Sequence, residues 1–321
     1  MTPHDLPAIL QTNADGTFRI LVAADLHTDN DEAANARTWG DIKTLLNRFE
    51  PNLLVVLGDV WCGDNQPDRA VEWMRRDLTV LDGLGVPWAF VWGNHDYGVD
   101  TDWGRASVAA AARSIISCGD GRGNCRAEVV RSCDREPLWD LFFLNSHTLC
   151  LMPEDIAWFE QETRRMQAKR GRLLPALAFF HIPLKQYETA RLEGRVEGIA
   201  LEEASYWGDD GTRIEGLVRP GNIRACFVGH SHNNDYHFKQ DGVVFAYARA
   251  TGYGGYGAET VPKGAKLIVL GPEQDRFDFG TVFAEPDRAS RIPGPTGAPP
   301  EKRQCGSHAF PRDRVTGVYW S

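Results

Sequence analysis

Aspartates and histidines recur in this chain directly after short apolar runs. Asp25-Leu26-His27 follows FRILVAA (18–24), Gly58-Asp59 follows NLLVVL (52–57), and Gly93-Asn94-His95-Asp96 follows VPWAFVW. His181 closes LPALAFFH, and Gly229-His230-Ser231-His232 follows IRACFV. Five of the nine histidines stand at these junctions, which is too many for chance loop polarity. Imidazole with carboxylate suits zinc, iron or manganese, and the lack of thiolates at these points argues against a structural zinc. Asp25 and His27, two residues apart at a strand end, can reach one ion as the chain turns out of the sheet. His230 and His232 share that spacing but can diverge onto two ions. One ion cannot use all these groups, whereas two ions bridged by a carboxylate can.

The elements that must position these groups are legible in outline. NARTWGDIKTLLNRF (35–49) has helical spacing and stops before Pro51, and 68–84 is a second helix with Asp68 as its expected cap. With the runs at 18–24, 52–57 and 87–92, the order is strand, helix, strand, helix, strand, which predicts parallel βαβ units. The runs are continuously apolar rather than alternating, so the strands are expected to be covered on both faces. Parallel strands present their C-terminal ends along one edge, where the five junctions converge. Further on, 138–146 reads as a strand and 153–171 as a helix with Pro at its start and Gly at its end. Residues 174–181 and 223–228 are strands. Two stretches break the rhythm. The first, 98–137, holds a small Ala-rich helix (105–112) and a Gly/Cys/Arg loop, and the second, 183–222, reads as helix and loop. Short strands in DYHFKQ, VVFAYA, KLIVL and RFDFGTVFA suggest the antiparallel end of a second sheet. We expect one catalytic domain over 1–283 and a Pro/Gly-rich extension over 284–321, whose terminal VTGVYW is apolar enough to dock.

Composition bounds the function. The chain has 321 residues and a net charge of −9, which excludes a general nucleic-acid footprint. No stretch reaches the roughly 20 apolar residues needed to span a bilayer. The N-terminal MTPHDLPAILQTNADGT has neither a basic region nor a long apolar core, so no secretory signal is read and a cytoplasmic location is expected. The seven cysteines, among them Cys118, Cys125 and Cys133 in one polar stretch, contain no CxxC pair and are expected to be free thiols.

The ordered blocks D-x-H, GD, GNHD, H and GHxH resemble the calcineurin-like metallophosphoesterase family. PWAFVWGNHD, PALAFFHIPL and NIRACFVGHSHNND look most like its small purple-acid-phosphatase-like branch of plants and fungi. The resemblance implies a two-sheet α/β/β/α sandwich with a dinuclear metal site at the strand C-terminal edge. By position it assigns Asp25, His27 and His232 to one metal and Asn94, His181 and His230 to the other, with Asp59 bridging. His95 then faces the substrate, with Asp96 orienting it. Two departures count against a purple colour and an obligate ferric ion. Cys62 stands where true purple acid phosphatases place a tyrosine, and His27 stands where they have no histidine.

Charge arithmetic supports an anionic substrate. Two divalent ions (Mn, Fe or Zn), two aspartates and a bridging hydroxide leave about one positive charge, which suits a phosphoryl group. A hydroxide between ions roughly 3.5–4 Å apart can attack in line, and His95 can protonate the leaving oxygen. The expected activity is hydrolysis of a small phosphomonoester or a phosphoprotein. The alternatives are a phosphodiesterase acting on cyclic nucleotides or phospholipid head groups and, further off, a scaffold without activity. Tyr253 and Tyr256 in ATGYGGYGAE are candidate covers for the substrate, next to Asn94 and His95. Arg105, Arg122, Arg126, Arg191 and Arg195, in the two irregular stretches, are candidates for the phosphate's non-reacting side.

Overall fold

The computed structural model describes residues 8–61, 67–116, 120–273, 275–285 and 318–320. Cys62, Asp64, Asn65, Cys118 and most of the 284–321 extension therefore lie outside the described residues.

Two mixed sheets face each other. The six-stranded sheet runs in the order β14 (Val318–Trp320), β13 (Phe277–Val282), β12 (Ala265–Leu270), β2 (Phe18–Ala23), β3 (Leu53–Leu57), β4 (Trp88–Val91). The eight-stranded sheet runs β1 (Ala8–Gln11), β5 (Cys125–Val130), β6 (Pro137–Phe143), β7 (Ala176–Phe179), β9 (Ile223–Val228), β11 (Val243–Tyr247), β10 (Asn234–Gln240), β8 (Glu197–Ala200). The expected βαβ core is there: β2, β3 and β4 pair in parallel, as do β6, β7, β9 and β11.

The strand alternation sorts side chains into three layers. Leu53, Val55 and Leu57 of β3 face between the sheets, with Leu177, Phe179, Ala225 and Phe227. Leu54 and Val56 face outward, against Trp39, Ile42 and Leu45 of α1 (Glu32–Phe49) and Trp73 and Met74 of α2 (Pro67–Gly83). On the far side, Ala178, Cys226 and Val228 meet Phe159 of α4 (Pro153–Arg170), Tyr187 of α5 (Lys185–Leu192) and Leu217 of α6 (Arg213–Val218). Helix, sheet, sheet, helix is the resulting sandwich. Between the sheets, Phe143, Phe179 and Phe227 stack in series, with ring centroids 5.4 and 5.6 Å apart. They anchor three adjacent strands just before the junctions after β7 and β9.

Local signals set the helix ends. Asp31 caps α1 by accepting from the Ala33 and Ala34 N–H groups, and Gly171 ends α4 in the left-handed conformation. Three expectations are corrected. Asp68 is not the cap of α2, because the helix starts at Pro67 and Asp68 lies in its first turn. The stretch 98–137 is not an irregular loop after its helix: beyond α3 (Asp102–Ala110) it supplies β5, which pairs with both β1 and β6. Likewise 183–222 contains β8, the edge partner of β10. The late short strands do not form one antiparallel end. β10 and β11 join the eight-stranded sheet, while β12 and β13 lie antiparallel beside β2 in the other.

The terminal apolar segment docks, with Trp320 of β14 opposite Gly280 of β13. Among the described residues Cys133, Cys150 and Cys226 are free thiols, and Cys125 Sγ lies 3.9 Å from Ile115 O. Among the described residues no helix is long and apolar enough to cross a membrane.

Candidate metal centre

The strand-end loops extend the sheet's own hydrogen bonding past its edge. Asp25 N–H donates to Gly58 O (3.1 Å), His27 N–H to Asp59 O (2.9 Å) and Thr28 N–H to Val60 O (2.7 Å). Gly229 N–H donates to His181 O (3.0 Å), which ties the loop after β9 to that after β7. Within these loops Asp25, His27, Asp59 and His230 all adopt positive φ (55°, 47°, 52° and 79°). Non-glycine residues seldom do so, and such strain persists only where the surroundings over-determine it, most often at functional sites.

The turned-out side chains gather into two clusters. Asp25, His27 and His232 form one, and Asp59, His181 and His230 form the other; in each, three ligand atoms lie within 4.8 Å of one another. His27 Nε2 is 3.1 Å from His232 Nε2, and His232 Nε2 is 3.5 Å from Asp25 Oδ1. Asp59 Oδ2 stands between the clusters, 3.0 Å from His181 Nε2 and 3.7 Å from His27 Nε2. Neighbouring ligands each about 2.1 Å from one cation are separated by roughly 3–3.6 Å, so these spacings fit a shared cation.

Buried lone pairs make the same point. Asn94 Oδ1, His181 Nε2 and His230 Nδ1 are buried without a hydrogen-bond partner. His181 Nε2 lies 3.0 Å from Asp59 Oδ2, a separation that two ligands of one cation also show. Leaving three buried polar atoms unpaired is costly unless something satisfies them. The opposite ring nitrogens are spent on backbone: His181 Nδ1–H on Leu57 O (2.9 Å) and His232 Nδ1–H on Tyr256 O (3.1 Å). Each bond fixes Nδ1 as a donor and turns Nε2 inward, where it ligates once it carries no proton.

The electrostatics agree. Burial would raise the Asp25 pKa, but the imidazoles of His232 and His181 bring it down to about 2. Burial also opposes ionisation of Asp59, yet His181 and His27 drive its pKa well below the usual carboxylate range. Burial lowers His27 to about 3 and His230 to about 4, which keeps both neutral. His181 resists burial through the charge of Asp59 and Asp25 and rises to about 9. Two ionised carboxylates beside the neutral imidazoles of His27 and His230 make a cation-seeking pocket.

His95 sits at its edge. Its backbone N–H donates to Asp59 Oδ1 (2.9 Å), and its ring meets His27 edge-on at 5.0 Å. Asp96 does not orient that ring, which is a correction. Its carboxylate accepts the N–H groups of Asp59, Val60, Trp61 and Gly93 (2.9–3.0 Å), so it shapes the loop after β3.

The glycine-rich loop after β11 packs over the centre, with its two tyrosines divided. Tyr256 stacks on His232 (4.0 Å between centroids, 12° between planes). Tyr253 turns away from the centre: its hydroxyl donates to Asp41 of α1 (2.9 Å) and its ring lies under the Arg37 guanidinium. The expectation that Tyr253 covers the substrate is corrected accordingly. A Cβ at Gly255 would meet His232 Cε1 at 2.4 Å and His27 Cδ2 at 2.8 Å, so only glycine lets this loop approach. The candidate arginines are engaged elsewhere. Arg126 is buried against Asp140 and Glu162, and Arg105, Arg122, Arg191 and Arg195 pair with Asp100, Asp155, Glu188 and Glu193.

Three contributors had no motif to announce them. Trp207 packs edge-on against His230 (4.6 Å), Glu202 accepts from the Tyr256 hydroxyl (2.9 Å), and the Lys263 ammonium donates to Tyr256 O (2.7 Å). The only hint of Trp207 in sequence is a lone tryptophan in the polar run SYWGDDG.

A two-sheet α/β sandwich with paired Asp/His clusters at one strand edge defines the class: a protein with a candidate dinuclear metal centre. Residues 18–234 match the calcineurin-like phosphoesterase family, and the chain belongs to it. It is 22% identical over 310 residues to a probable inactive purple acid phosphatase of Arabidopsis thaliana, covering 81% of this chain and 78% of that one. It is 25% identical to the phosphatase DCR2 of Saccharomyces cerevisiae, covering 72% of this chain and 47% of the yeast protein. Among solved structures, a dimetal phosphatase from Danio rerio superposes with a TM-score of 0.58 at 13% identity, over 83% of this chain and 95% of that one.

Proposed function

We propose that this protein hydrolyses phosphomonoesters at a dinuclear centre held by Asp25, His27 and His232 on one side and Asn94, His181 and His230 on the other, with Asp59 shared. The observation that carries the reading is the place of Asp59 Oδ2, within 3.0 Å of one cluster's imidazole and 3.7 Å of the other's. Bound there, a pair of divalent cations (Mn, Fe or Zn) supplies an activated water and a clamp for phosphate oxygens. The protein's own part is to hold the ligands. Positive-φ loops aim them, backbone carbonyls set the His181 and His232 tautomers, and Asp96 pins the loop that carries Asp59. His95, half-buried beside His27, is the group placed to give a proton to the leaving oxygen.

Membership of the family supports metal-dependent phosphoester hydrolysis, and the yeast relative's name supports a monoester substrate. The plant relative is named as probably inactive, so activity itself is the first thing to measure. Hydrolysis of p-nitrophenyl phosphate and bis-p-nitrophenyl phosphate, with Mn, Zn, Fe or no metal and with His95→Asn as control, tests the reading. The expected result is metal-dependent hydrolysis with monoester preference, largely lost in His95→Asn. Diester preference would replace the substrate assignment, and hydrolysis indifferent to metal would overturn the mechanism.

A further inference from the structure

Among the described residues four aromatic side chains are largely exposed: Tyr97, Trp103, Trp207 and Tyr256. Two of them rest on histidines of the candidate centre, Trp207 against His230 and Tyr256 against His232. His230 and His232 belong to different clusters, so an exposed ring stands at each half of the centre.

Both rings are held in place. The Tyr256 hydroxyl accepts from His232 N–H (3.2 Å) and donates to Glu202 Oε1 (2.9 Å). Trp207 lies in a turn closed by Asp209 N–H to Tyr206 O (2.9 Å), and the Asp209 carboxylate accepts Lys185 N–H (2.8 Å). Trp207 is 56% exposed and Tyr256 52%, although each uses part of its ring on a histidine. Next to Trp207, Gly208 N–H reaches Leu149 O (3.4 Å), which brings the exposed Leu149 into the same neighbourhood. Fixed aromatic surface left open beside a reactive centre marks a ligand-binding wall. The five candidate arginines pair with carboxylates, and the Glu202 carboxylate and Lys263 ammonium beside Tyr256 are taken up by its hydroxyl and its carbonyl, which leaves the two ring faces as the open surface.

We propose that Trp207 and Tyr256 bind the ester substituent, and that the preferred substrates are phosphomonoesters whose alcohol carries a planar apolar ring. This rests on the phosphoesterase reading above and adds the substrate class to it. Ring–ring contacts prefer offset or edge-to-face packing, and each contributes up to about a tenfold factor in affinity beyond its buried area. Small polar monoesters gain nothing from these walls.

The test uses the full chain loaded with Mn. Turnover of 2-phenylethyl phosphate is compared with that of ethyl phosphate, whose leaving alcohol is chemically alike. Binding of phenylphosphonate is compared with that of methylphosphonate by calorimetry, which needs no turnover. We expect a preference of about tenfold or more for the ring-bearing member of each pair, arising in KM and Kd rather than in kcat. Trp207→Ala should bring both ratios close to one, and Tyr256→Phe, which keeps the ring, should preserve them. Metal content of each variant shows whether its centre is intact, with Trp207→Leu as a second variant. Equal phosphonate affinities in the parent protein, or a ratio that survives Trp207→Ala and Trp207→Leu, would overturn the proposal. If no ester is hydrolysed the phosphatase reading fails, while the phosphonate ratio still decides this one.

Discussion

The Asp96 carboxylate accepts the backbone N–H of Asp59 at 2.9 Å, and through that bond it holds the residue we propose to be shared between the two clusters. The same carboxylate takes the N–H groups of Val60 and Trp61 on the loop after β3 and of Gly93 on its own loop after β4, so it ties the two loops together. Gly93 is required there, because a Cβ would stand 2.2 Å from Asp59 Oδ1.

Asp96→Asn turns an acceptor oxygen into an NH₂ group facing backbone donors. The expected cost is about 2–3 kcal/mol of stability, read as a lower Tm, together with weakened metal binding. If Asp96 acted instead on the His95 ring, the variant would keep its Tm and shift the pH–rate profile.

Asp59→Asn removes the charge that, on the proposed arrangement, both clusters share. Metal content is expected to fall below two equivalents, and activity by more than the ~100-fold typical of residues that only support the ligands. Elemental analysis with kinetics checks this, and two retained ions would show that Asp59 is not shared.

Gly255→Ala pushes a methyl group into His232 and His27, both in one cluster. The expected outcome is loss of about one equivalent of metal, from that cluster, with the Asp59–His181–His230 cluster still loaded. A variant that binds two ions normally would show that the loop can yield.

Chelation should lower the Tm, because ions bound only to the folded state stabilise it, by about 2.7 kcal/mol per site at a hundredfold excess over Kd. An unchanged Tm in metal-free buffer would count against the centre.

The chelated protein should be most stable near pH 6.5. His181, raised to about 9, contributes stability that is complete below the unfolded histidine pKa of about 6.5 and is lost as pH rises towards 9. His27 and His230, lowered to about 3 and 4, act oppositely: the unfolded chain takes up their protons first, so stability falls as pH drops below about 6.5. Asp25, lowered to about 2, adds a further loss only below about pH 4. Thermal melts across pH 4–9 with and without metal check the shape, and a steady rise in stability through pH 8 would contradict the role given to His181.

The sequence by itself determined which groups stand at the strand ends and which strands carry them. β2, β3, β4, β7 and β9 are continuous apolar runs, a local signal that needs no partner to be read. The edge strands β1, β8 and β14, and β5 beside β1, escaped because they are short or mixed in composition, and because pairing rather than periodicity makes them strands. The allotment of β10 and β11 to one sheet and β12 and β13 to the other was likewise hidden, since alternation does not name a neighbour. Only the tertiary structure decided how the site is aimed. The positive φ of Asp25, His27, Asp59 and His230 is not encoded by residue type; hydrogen bonds between loops far apart in sequence impose it. Asp96 beside His95 suggested a catalytic pair, yet folding turned its carboxylate to four backbone N–H groups. Tyr253 and Tyr256, three residues apart, were equivalent on paper until packing sent one to α1 and stacked the other on His232.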